Sequence, residues 1–339
     1  AWTDGAKIKN LKLNDFKNTG SSQNSAALAG YAKNTDISDI SIDGPLHFYN
    51  LCCGSVVGQM EGGTVSDCHY KGFMQNEKRA SFENTANCTV VGGIAGNVKN
   101  NALIKGCTVS GNVTGIGMYV AGIAACLTSS KLQDCKVLAG STVVGDNFNT
   151  GGIAALMRSS SEISNCSMDA SVACWYHELG GIVSRLEDGK IFDCVVGSNA
   201  QVRCGMGKTG GIAGCIASKS EQHALIDGCV VYGDITGTWG VGGIVGYIEP
   251  TVANSEVNII NSAFTGGDIW TSGFFSKDSY NYAFAGGIAG WARLESGGVK
   301  GVNIVNCFTD PACLRIEWKQ ASRLGVGGIL GNHTGSVPV

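Results

Sequence analysis

Residues 104–135 read IKGCTVSGNVTGIGMYVAGIAACLTSSKLQDC, and the fold is decided by how this stretch is built. It opens on Ile104-Lys105-Gly106-Cys107 and closes on Leu132-Gln133-Asp134-Cys135, two copies of one signal: an aliphatic residue, any residue, then Asn, Asp or Gly, then a small or apolar residue that is usually Cys. After Cys107 every second position is small or apolar (Val109, Gly111, Val113), the period of a strand with one buried face. Between the two copies stands a glycine-rich apolar pentapeptide centred on Ile123.

Working outward, both signals recur ten times in strict alternation. The first ends at Leu11, Ile40, Cys68, Cys107, Cys135, Cys166, Cys194, Cys229, Ser262 and Cys307. The second is centred on Leu28, Val56, Ile94, Ile123, Ile153, Ile182, Ile212, Ile244, Ile288 and Ile329. First-signal positions are 29, 28, 39, 28, 31, 28, 35, 33 and 45 residues apart, so the unit is about 28 residues with insertions. A fixed period in that range denotes a solenoid, a propeller or an array. No window carries the spacing of an amphipathic helix, and 51 glycines would each weaken one. A propeller blade of four antiparallel strands needs roughly 40 residues, whereas this unit accommodates about three short strands and three turns. The expected fold is therefore all-β: a parallel β-helix (β-solenoid) of ten coils, right-handed by the bias of parallel crossovers. Coils about 4.8 Å apart make a rod on the order of 50 Å long.

Stacking turns each aligned position into a ladder. The position before the Cys is Asn10, Asp39, Asp67, Gly106, Asp134, Asn165, Asp193, Gly228, Asn261 or Asn306. Only residues that tolerate a left-handed backbone or form side-chain turns occur there, which predicts a tight corner in every coil. The Gly-Gly of the second signal predicts another corner or a close approach of two backbones. The seven column cysteines (Cys68, Cys107, Cys135, Cys166, Cys194, Cys229 and Cys307) share their position with Leu11, Ile40 and Ser262, which can neither bridge nor ligate, so they are expected to be buried, reduced thiols forming a core ladder.

The repeated Gly-Gly-Ile-Ala-Gly, Gly-Gly-Ile-Val-Gly and Gly-Gly-Ile-Leu-Gly, each alternating with aliphatic-x-Asn/Asp-Cys, resemble the GLUG motif over residues 8–331. That motif belongs to large secreted and surface proteins of gut and oral bacteria, adhesin-like proteins and the non-catalytic part of some immunoglobulin A proteases among them. The resemblance implies a secreted or cell-surface scaffold, with no catalytic residue to carry over.

Composition agrees with a single β-solenoid over residues 1–339. A net charge of −3 gives no basic footprint, so no nucleic-acid partner is expected. No apolar run reaches the length of a membrane span, so no membrane insertion is expected. His47, His69, His177, His223 and His333 are dispersed, there is no His-Glu-x-x-His, and no metal or cofactor is expected. The chain is read as non-enzymatic. Asp234 and Asp268 fall at equivalent strand positions, which keeps a polysaccharide-active enzyme as an alternative.

Residues 8–214 read as regular coils and residues 215–331 as coils with enlarged loops. The extra residues fall in Cys215 to Ala224, Tyr247 to Val257 and Trp291 to Val302 at one corner, and near Met74 to Cys88, Gly267 to Ala285 and Asp310 to Gly325 at the other. This last third is rich in aromatic residues, and Trp239, Tyr247, Trp270, Phe274, Phe275, Tyr280, Tyr282, Trp291 and Trp318 are the candidate binding residues, since flat rings on loops over a rigid scaffold suit recognition. Trp175-Tyr176-His177-Glu178 is a smaller aromatic cluster. The leading functional expectation is an adhesin-like rod binding a host or community glycan or protein; the alternative is a structural protein whose copies stack end to end into fibres.

Overall fold

The structure is a computed structural model in which residues 1–14, 23–78, 89–146, 148–217, 223–250, 252, 255–271, 282–294, 301–310, 313–316 and 323–335 are described. They form one sheet of 42 short strands in which every ladder is parallel and each strand pairs with its equivalent in the next coil. This is the parallel β-helix. Among the described residues no helix is long and apolar enough to cross a membrane.

The register is the one that the two signals predict. Leu11 pairs with Ile40, and the residue after the Cys runs Ser41, His69, Thr108, Lys136, Ser167, Val195, Val230, Ala263, Phe308. At the second signal the main-chain N–H of the residue after each Ile donates to the Ile carbonyl of the next coil, from Ala29 to Val56 through Ala289 to Ile329. All ten residues of the Asn/Asp/Gly column have positive φ, between 49° and 65°. That corner is thus a single left-handed residue repeated ten times, which explains why nothing β-branched occupies it.

Each regular coil contains four or five short strands rather than three. The coil from Cys135, for instance, consists of Lys136–Val137, Thr142–Gly145, Asn149–Gly151, Ala154–Arg158 and Ser161–Ser164. One extra break is the Gly-Gly itself. A Cβ on Gly93 would lie 2.0 Å from the Gly122 carbonyl oxygen and 2.9 Å from Val109 Cγ2, on the opposite wall of the coil. Equivalent contacts recur at Gly122, Gly152, Gly181, Gly211, Gly243 and Gly287. The Gly-Gly therefore dents the coil inward until two walls touch, and the side on which the chain turns back becomes concave. A second break is another left-handed corner at the end of the strand that follows the pentapeptide, where Asn100, Asn101, Ser129, Ser159 and Ser160 have φ of 57–61°, or 49° for Ser129.

One apolar core runs the length of the rod, with Ile40, Cys68, Ile94, Ile123, Ile153, Ile182, Ile212, Ile244 and Ile288 fully buried. The column cysteines are free thiols, buried except for the half-buried Cys307 near the end of the rod. Each directs its Sγ to the carbonyl two residues earlier, at 3.2–3.5 Å. Cys107, Cys166 and Cys229 are held well above the ordinary thiol range by hydrogen bonds to neighbouring column thiols and by burial. Ser262 fits because its hydroxyl donates to the same carbonyl, that of Ile260, at 2.9 Å, and accepts from the Cys229 N–H at 3.2 Å. Cys166→Ser is accordingly expected to lower stability by only about 1 kcal/mol, read from the denaturation midpoint; a loss above about 3 kcal/mol would contradict the shared-carbonyl account.

Candidate functional site

The dent at the Gly-Gly leaves a continuous seam on the outside of the rod. Its two walls come from residues seven apart in sequence, one just before and one just after the pentapeptide. On one wall stack Asn24, Cys52, Val90, Tyr119 and Asn149, then Glu178, Lys208, Gly240 and Phe284. On the other stack Tyr31, Gln59, Asn97, Cys126, Leu156, Arg185, Cys215, Tyr247, Trp291 and Asn332. The main-chain bonds hold every coil to one register, so the seam's chemistry is whatever each coil places at these two positions.

That chemistry changes along the rod. In coils three to five, Val90, Cys126 and Leu156 form a small apolar cluster against Tyr119 and Cys52. In coil six a carboxylate and a guanidinium face each other: Arg185 Nη1 donates to both Glu178 oxygens at 2.8 and 3.1 Å, and Arg185 Nε donates to Glu187 at 3.2 Å. Glu178 is only 5% exposed, and Lys208 Nζ stands 3.5 Å away on the neighbouring coil. Lys208 Nζ also sits 4.0 Å from the centroid of the Tyr247 ring, a cation–π contact. Burial works against the Arg185 charge, but Glu178 outweighs it and holds the guanidinium protonated. Beside it burial pushes the Cys215 thiol far up, so it is an inert neutral group. In coils eight and nine the seam is filled by rings, Tyr247 on Trp291 at 4.9 Å and Phe284 on Trp291 at 5.0 Å between centroids.

This arrangement corrects the aromatic expectation. Tyr247 is 2% exposed, and Trp291 packs against it while its indole N–H donates to Thr334 Oγ1 at 3.2 Å. Both stand in strands, Val245–Ile248 and Ala289–Leu294, rather than on enlarged loops, and they fill the rod's own seam. Trp270 likewise lies in a strand, Ile269–Thr271, paired with Thr236 and Arg315. Tyr282 opens the strand Tyr282–Gly286, while its side chain, and Phe274, Phe275, Tyr280 and Trp318 entirely, lie outside the described residues. The first set of enlarged turns leaves and re-enters at one corner, since Cys215, Tyr247 and Trp291 pair in register before them and Ala224, Val257 and Val302 after them.

Trp239 alone of that set is exposed at the rim of a pocket among the described residues. The pocket has a volume of about 230 Å³ and is lined by Tyr176, His177, Glu178, Met206, Gly207, Lys208 and Trp239, so the buried ion pair of the seam forms its floor. Around it lie exposed rings. Trp175 and Tyr176 are exposed and meet edge to face, and the His177 ring stacks on Phe148 at 4.6 Å. Burial lowers the His177 imidazole below its ordinary value, which leaves it neutral at pH 7 and suited to stacking. His177 has a φ of 73°, and its pairing with Gly207 is possible because Gly207 has no Cβ, which would sit 1.9 Å from the His177 carbonyl oxygen. Beneath the patch Cys174 and Cys204 pair in register with their Sγ atoms 3.1 Å apart.

The sequence pointed to Trp175-Tyr176-His177-Glu178 as a cluster; what it hid is that Met206, Lys208 and Trp239, 28 or more residues further on, complete the same pocket. Of the acid/base pair considered for an enzyme, Asp234 Oδ1 accepts the main-chain N–H of Asp268 at 3.0 Å, a bond between coils. Among the described residues no group of three or more His, Cys, Asp or Glu side chains could hold a metal ion.

No family model matches the chain, and no curated protein does either. Among solved structures, the crystal structure of a "putative immunoglobulin A1 protease" from Bacteroides ovatus is similar at 18% identity, with a TM-score of 0.46 over 80% of this chain and 78% of that one.

Proposed function

We propose that the chain is a non-enzymatic, secreted or cell-surface β-solenoid of the GLUG-motif kind. It acts as a rigid scaffold that binds a glycan or protein through the pocket lined by Tyr176, His177 and Trp239, with Trp175 exposed beside it. The supporting observation is a group of exposed rings around a pocket whose charged floor is already ordered by the rod's own ion pairs. Aromatic faces bury much area at low entropic cost, and Glu178 and Lys208 offer an acceptor and a donor in fixed positions. A volume of about 230 Å³ lies below the ~300–1,000 Å³ of drug-sized sites and suits one ring or one side chain at a time. Trp239→Ala is expected to weaken binding to whatever surface or array component retains the native protein by about tenfold or more, with an unchanged melting temperature. Unchanged attachment of Trp239→Ala and Trp175→Ala together would refute the reading.

A second reading, stacking of copies into fibres, rests on a separate observation. Leu11 and Ile329 are 40% and 41% exposed, whereas Ile40 and Ile288, their equivalents one coil inward, are fully buried. Exposed aliphatic side chains of this kind are what a second copy would bury on stacking. Electron microscopy of the purified protein separates isolated rods from fibres.

A further inference from the structure

In its first half the seam is filled only at its base, by the apolar cluster of Val90, Cys126 and Leu156. From coil one to coil six it opens into a trough of about 470 Å³, within the range of ligand sites, whose lining includes Gln59, Asn97, Tyr119, Leu156 and Arg158. Five inter-coil steps of roughly 4.8 Å make it about 24 Å long. We propose that this trough is a second binding site, for an oligosaccharide chain lying along the rod axis.

Three observations carry the assignment. First, Gln59 and Asn97 pair in register on successive coils and both line the trough, so amide side chains stand one coil step apart along one wall. Second, the lining interleaves apolar surface (Val90, Leu156 and the half-buried Tyr119 ring) with polar groups (Gln59, Asn97, Lys99, Arg158), matching a chain of rings that have apolar faces and hydroxylated edges. Third, the main-chain groups of these coils are already bonded to the coils above and below. The trough also runs across the strands rather than beside an edge, so an extended peptide would find no strand to extend. The rear of the seam shows what closure looks like: there Arg185 meets Glu178 and Trp291 meets Phe284, side chains long enough to touch across the gap. In the front half the facing pairs are Asn24 with Tyr31, Cys52 with Gln59, Val90 with Asn97, Tyr119 with Cys126 and Asn149 with Leu156, none of which joins two charged groups or two rings.

The test is a screen of the whole chain on a broad array of plant, host and microbial oligosaccharides, followed by titration calorimetry with the strongest probe. Tyr119→Ala and Asn97→Leu are expected each to weaken that probe about tenfold or more, with the melting temperature of Tyr119→Ala unchanged, while Trp239→Ala leaves it unaffected. Absence of any oligosaccharide bound, or affinity untouched by both seam variants, would overturn the proposal. Affinity lost only in Trp239→Ala would assign the sugar to the aromatic pocket and overturn the trough, so the two sites fail separately.

Discussion

Gly181→Leu is expected to destabilise the middle of the rod by about 4 kcal/mol or more, the exceptional end for a single substitution. A Cβ there would stand 2.2 Å from the Gly211 carbonyl oxygen and 2.9 Å from Val196 Cγ2, so it would collide with the next coil and the opposite wall together. Neither neighbour can retreat. The first is held by the Ile182 and Val183 main-chain bonds to Ile212, and the second is a buried-wall side chain packed in the core. The loss should be regional, because each coil is stabilised chiefly by its neighbours: limited proteolysis is expected to open coils five to seven before the ends. Gly181→Ala adds the same Cβ and is expected to incur much of the loss, the larger Leu side chain adding the rest. A Leu variant with the native melting temperature would mean that the walls do not touch there.

The second large effect is expected at Arg185. Arg185→Met removes the principal partner of Glu178, a carboxylate whose side chain is 6% exposed, and leaves it Lys208 at 3.5 Å and the neutral Cys215 thiol. Stranding a buried charge costs about 3–5 kcal/mol, and the remaining lysine places the loss near the lower figure. Glu178→Leu combined with Arg185→Met removes both charges and should recover most of the loss, as expected when an apolar pair replaces a buried ion pair. Chemical denaturation of the two single variants and the double variant measures this directly. Additive losses would show that Glu178 and Arg185 are not coupled. Because Glu178 also floors the aromatic pocket, the double variant is expected to bind weakly while folding well, which separates stability from recognition at this point.

The architecture was legible where one chemical constraint recurs in every coil. The left-handed corner accepts only Asn, Asp and Gly, and all ten residues read from that column have positive φ. The Ile of the pentapeptide fills the core in every regular coil, so its ladder was equally plain. The seam was not legible, because its walls carry Cys52 and Gln59 in one coil, Glu178 and Arg185 in another, and Phe284 and Trp291 in a third. Only the seven-residue spacing is constant, and spacing without shared chemistry gives no pattern to recognise. The second left-handed corner was hidden for a related reason: Ser129, Ser159 and Ser160 adopt positive φ, although serine does not announce that conformation. Tyr247 and Trp291 were read as loop residues because inserted segments were bounded by repeat spacing. The strands in fact continue past the pentapeptide by two to four residues before the chain departs. The pocket at Trp239 was half visible, as an aromatic run in coil six; its other half comes from coils seven and eight and is brought there by stacking alone.

The most direct test of the binding account is hydrogen–deuterium exchange of the native protein with and without a ligand whose binding Trp239→Ala weakens. The account predicts slowed exchange confined to residues 175–178, 205–208 and 238–240, three segments distant in sequence that stacking brings to one pocket. Protection confined to other faces of the rod, or none at a saturating ligand concentration, would contradict it.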